Sequence, residues 1–117
     1  MPISLIVALL LFAAMGGMLL WRPQYLTQLT HVELTTVESR NEVRAVYGGF
    51  GIAMALALLV AMILPELRGG IMLTSGLALL GMAAGRGYAA WLELPSTMVW
   101  GFLVLEAVMG FLLFFRI

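Results

Sequence analysis

"SRNEVRAVYGGFGIAMALALLVAMIL", Ser39 to Leu64, decides the fold. From Phe50 to Leu64 it carries no charge. A helix needs about 20 apolar residues to cross the hydrocarbon core of a bilayer, and a run beginning near Val43 is long enough. The difficulty lies at its start. Arg44 stands inside the segment and Glu42 at its edge, where hydrocarbon would be a poor solvent for either.

Working outward, three more runs have the same character. Together with Val43–Leu64 they are Ile3–Leu20, Ile71–Leu92 and Thr97–Phe115. The 117 residues are 63% apolar and 10% charged. Soluble domains are closer to half apolar and a quarter charged, so the bilayer is the expected solvent. Ile3–Leu20 has no Arg or Lys before it and is too long for a signal-peptide core, so it reads as a retained span. Pro65–Gly70 and Glu93–Ser96 read as tight turns, and tight turns make neighbouring helices antiparallel. The expected fold is an all-α membrane protein: one domain over residues 1–117, a four-helix up-down bundle with a longer loop between its first two helices. In that loop Tyr25, Leu26, Leu29 and Val32 recur at helical spacing, which fits either a short interfacial helix or an irregular segment.

Six arginines balance six glutamates, and there is no Lys, Asp or Cys. Disulfides and thiolate chemistry are thereby excluded, and a neutral chain without a basic stretch gives no sign of nucleic-acid binding. His31 is the only histidine, which removes bis-histidine haem and typical zinc sites. No metal and no cofactor is expected. Trp21, Trp91 and Trp100 flank loops, where aromatic anchors belong, while Tyr47 and Tyr88 lie deeper and should need hydroxyl partners. An even number of spans puts both termini on one side. Arg68 and Arg116 on that side nearly tie with Arg22 and Arg40 on the other, and the count leans towards cytoplasmic termini.

The charges inside the runs carry the functional signal. Ionisable residues within spans are rare and mark sites or ion networks. A rise of 1.5 Å per residue puts Arg86 about 10 Å, and Glu106 about 14 Å, below the surface on the loop side. Their helices share a tight turn, so the two side chains should meet. Ser39 and Glu42 fit an S-x-x-E capping box, which would account for Glu42 without a site. Arg44 could snorkel to the headgroups. Otherwise Glu42, Arg44, Tyr47, Arg86, Tyr88 and Glu106 would line one polar inclusion. Small residues at four-residue spacing, Gly49, Ala53 and Ala57 on the second helix and Gly81 with Gly85 on the third, mark expected packing faces, and Gly48 beside Gly49 is expected to pack with them.

"NEVRAVYGG" (Asn41–Gly49), "GMAAGRGYAAWLELP" (Gly81–Pro95) and Glu106 resemble, along essentially the whole chain, a family of small bacterial four-helix membrane proteins, the domain of unknown function number 4345. The resemblance implies a polar core of Glu42, Arg44, Tyr47, Gly48, Gly49, Arg86 and Glu106, and an inner-membrane setting. Gly87, Tyr88 and Ala89 depart from the Leu and Ser that usually follow the family's Arg. Glu93-Leu94 replaces its usual acidic-Gly turn.

Three roles follow from these residues. The first is binding of a small amphiphile, a lipid, isoprenoid or quinone-like head, at the inward charges. The second is an accessory or scaffolding subunit, as a homo-oligomer or within a larger membrane complex, with the charges fixing helix register. The third is an isomerase-type enzyme using Glu106 or Glu42 to move a proton. No nucleophile–base pair supports the third, and it ranks behind the others.

Overall fold

The computed structural model describes residues 1–117, and its regular structure is entirely helical. Four helices have span length and apolarity: Ile3–Trp21, Val37–Ile63, Pro65–Leu92 and Thr97–Phe114. They are called the first to fourth spans below. The protein is a multi-pass membrane protein of the all-α class. Its chain forms two compact units, Ile6–Leu59 in one and Met1–Leu5 with Val60–Ile117 in the other.

In the unit Ile6–Leu59 the first and second spans run antiparallel and touch through glycine. A Cβ on Gly16 would lie 2.7 Å from the Ile52 nitrogen, and one on Gly48 would lie 2.8 Å from the Leu20 Cα. Lipid supplies no hydrophobic drive between helices, so backbone approach at small residues replaces it. The connection between these spans contains a short helix, Tyr25–Thr30, and an irregular stretch up to Thr36. Leu26 is buried with Leu19 and Val43, and Tyr25, Leu34 and Tyr47 pack around them. That apolar plug fastens the connection to the ends of both spans.

The second span begins six residues before the expected Val43. Its N-cap is Thr36, not Ser39. The Thr36 hydroxyl accepts from the Ser39 amide at 3.0 Å, and Ser39 Oγ accepts from the Thr36 amide at 3.2 Å. Serine thus takes the reciprocal place that Glu or Gln holds in the usual box. Glu42 lies one turn too far along to cap anything.

Residues Arg44–Gly49 of this span are π-helical. The wider turn changes the phase of everything after it. The expected face Gly49–Ala53–Ala57 is replaced by Gly48, Gly51, Ala55 and Leu58, all buried, while Gly49 and Ala53 are exposed.

In the other unit the third and fourth spans pack antiparallel along their length. Gly76 faces the Phe114 nitrogen and the Gly110 carbonyl, and Gly110 faces Leu80. Pro65 does not open a turn here. It is the first residue of the third span, with Glu66 beside it in the first turn. Proline suits that position because its missing N–H would have no helical partner, and an acid suits the positive end of the helix dipole. Only Leu64 separates the second and third spans. Arg68 donates to the carbonyls of Ala61 (2.9 Å) and Met62 (3.2 Å), closing the open end of the second span. The guanidinium of Arg116 fills the space where Gly69 lacks a side chain.

Candidate functional site

The third span presents Arg86 and the fourth presents Glu106, 20 residues apart in sequence. Arg86 Nε donates to both carboxylate oxygens at 2.9 Å, and Nη2 lies 2.9 Å from Oε1. The two side chains meet, as their similar depths below the shared turn predict, and they form the protein's single ion pair. The guanidinium also lies over the ring of Phe102, its Cζ 5.4 Å from the centroid, one turn before Glu106. The Glu106 side chain is 10% exposed and that of Arg86 is 26% exposed. Both carboxylate oxygens are therefore satisfied, whereas Nη1 of Arg86 has no hydrogen-bond partner.

The remaining candidates do not all join this pair. Tyr88 is 69% exposed. It follows Arg86 by two residues, and residues two apart on a helix point to nearly opposite sides, so the face that brings Arg86 to Glu106 sends Tyr88 away. Its expected need for a buried hydroxyl partner does not arise. Glu42, Arg44 and Tyr47 belong to the unit Ile6–Leu59. Glu42 is exposed there, and Tyr47 is half-buried against the Leu19–Leu26–Val43 plug. Arg44 donates from Nε to the Leu20 carbonyl at 3.0 Å, in the last turn of the first span. That bond satisfies a terminal carbonyl and places a cation at the negative end of a helix.

Of the four glycines expected to pack, Gly48 does so, against Leu20. Gly49 would meet only a carbonyl of its own helix, at 3.6 Å, and Gly81 and Gly85 have nothing within 4 Å. The packing glycines that the pattern missed are Gly16, Gly51, Gly76 and Gly110. Four-residue spacing was the wrong signal, because each contact uses one or two glycines where two helices cross. Nothing in the sequence separates these glycines from Gly81, Gly85 or Gly101, which have open space over them. The side chains offer no cluster of His, Cys, Asp or Glu able to hold a metal ion.

Four helices of span length and apolarity define a small multi-pass membrane protein, and an Arg86–Glu106 ion pair joins its third and fourth spans. The chain matches, over residues 1–116, the family described as Domain of unknown function (DUF4345), and it belongs to that family. Comparison with curated proteins and with solved structures finds no match.

Proposed function

We propose that the protein binds the oxygen-bearing head of a small amphiphile, a lipid, isoprenoid or quinone-like molecule, at Arg86. One observation carries this reading. Arg86 is fixed by Glu106 and Phe102, yet its side chain keeps 26% of its surface open and Nη1 free. An N–H without an acceptor in apolar surroundings costs roughly 1–3 kcal/mol, so an incoming carbonyl or hydroxyl oxygen is favoured there. Because Glu106 neutralises Arg86, the guest need not be charged. Glu106 holds the arginine in place and Phe102 shapes the approach.

The test is purification of the membrane-embedded protein in polymer discs, followed by extraction and mass spectrometry of the retained amphiphiles. A species enriched over the bulk membrane should accompany the wild type and be lost from Arg86→Leu/Glu106→Leu. If the wild type enriches nothing, the reading fails.

A second reading, an accessory subunit or homo-oligomer, is favoured by one feature. Gly81 and Gly85 lie on an outward face with open space over them, and such faces admit another helix closely. Gly85→Leu should then disrupt a co-purifying complex while leaving the retained amphiphile unchanged. The proposal places the protein in a bacterial inner membrane with cytoplasmic termini, supported by Arg68 and Arg116 near the span ends on that side. Reporter fusions at either end test the orientation.

A further inference from the structure

The end of the first span holds two arginines that the Arg86–Glu106 pair does not involve. We infer that Arg22 and Arg44 form a site for the phosphate of an anionic phospholipid headgroup.

Arg44 is locked by its Nε bond to the Leu20 carbonyl, which commits one edge of the guanidinium and leaves both Nη groups without a partner. Arg22 lies against Tyr25, and Tyr25 packs on the plug that contains Val43, the residue before Arg44, so the two arginines flank the same apolar plug. The Arg22 Cζ sits 5.9 Å from the Trp21 ring centroid and 5.7 Å from that of Tyr25. The two rings hold the cation by their faces and accept none of its hydrogen bonds. Both arginines are exposed, and neither lies within 4.0 Å of a carboxylate, since the protein's one ion pair is elsewhere. The nearest acid in sequence, Glu42, points away from Arg44 because it is two residues before it.

The position supplies the ligand class. Trp21, 71% exposed, ends a 19-residue apolar helix, which is where indole rings settle among headgroups. Two uncompensated guanidinium groups at that depth match a phosphodiester, which accepts several charge-assisted hydrogen bonds at once. They also repel the quaternary ammonium of a choline headgroup, so the site should prefer a phosphatidylglycerol-like lipid over a zwitterionic one. The site shares no residue with the Arg86–Glu106 pair and does not depend on what that pair binds.

Native mass spectrometry of the full chain in detergent tests this, with phosphatidylglycerol and phosphatidylcholine of identical acyl chains as probes. An arginine near an anionic surface is worth about fivefold in binding. The wild type should therefore prefer phosphatidylglycerol by about 25-fold. Arg22→Gln should lower the preference about fivefold, Arg22→Gln/Arg44→Gln should abolish it, and Arg22→Lys should keep most of it. The wild-type comparison needs no variant, and Arg22 is exposed, so a poorly folding Arg44 variant leaves the result decisive. Equal binding of the two lipids overturns the inference, as does an undiminished preference in Arg22→Gln. Displacement of bound phosphatidylglycerol by millimolar inorganic phosphate would make this a free-anion site and overturn the lipid assignment.

Discussion

Removing one partner of the Arg86–Glu106 pair should have unequal consequences depending on which is removed. Glu106→Leu leaves a guanidinium that cannot give up its proton. A lone arginine at the centre of a span costs about 2.5–3.5 kcal/mol on insertion scales. Arg86 stands six residues from the end of its span and its side chain is 26% exposed, so its cost should fall below that range, at about 2 kcal/mol. Arg86→Leu leaves a carboxylate that can bind a proton and so shed its charge. What remains is an under-bonded polar group, worth about 1–2 kcal/mol. Replacing both with leucine removes charge and partner together, and such replacements are often neutral, so the double variant should fall within about 1 kcal/mol of wild type. The cycle then closes with a coupling of at least about 2 kcal/mol. Reversible unfolding by steric trapping in bicelles measures all four corners. Equal costs for the two single variants would refute the charge argument. Additive costs would show that the 2.9 Å contacts contribute nothing to the fold.

Three further outcomes follow from packing and capping. Gly48→Val, Gly76→Ala and Gly110→Ala each place a Cβ within 3 Å of neighbouring backbone and should cost about 1–3 kcal/mol in the same assay, while Gly81→Ala and Gly85→Ala, in open space, should not destabilise. Ser75, 1% exposed, has a hydroxyl without a partner, so Ser75→Ala should raise stability by about 1 kcal/mol. Thr36→Ala should cost about 1 kcal/mol through the lost cap and speed amide exchange at Val37 to Ser39, whereas Glu42→Ala should leave that exchange unchanged.

The parts of this fold legible in the sequence are those set by a single strong free-energy term. Transfer of apolar side chains into lipid dominates, so the four runs located the spans. The burial cost of a charge is nearly as large, and with helix rise it paired Arg86 with Glu106 across 20 residues. What escaped notice rests on differences of about 1 kcal/mol or on the exact phase of a helix. Pro65-Glu66-Leu67-Arg68-Gly69-Gly70 has the composition of a turn, yet proline is at home in a first helical turn and lipid penalises non-helical backbone, so the segment continues as helix. Thr36 and Ser39 form a capping box without the Glu or Gln by which such boxes are recognised. The π-helical Arg44–Gly49 has no side-chain signature, but it moves every later contact of the second span to a new face. It buries Gly48 and leaves Gly49 exposed, and it begins at Arg44, the residue that donates to the Leu20 carbonyl. Glycines 48 and 49 within the wide turn permit both the π geometry and the approach of Leu20. A substitution that restored a regular α-turn there would therefore move Arg44 off the Leu20 carbonyl, so the bond that holds this arginine is a consequence of helix phase as much as of charge.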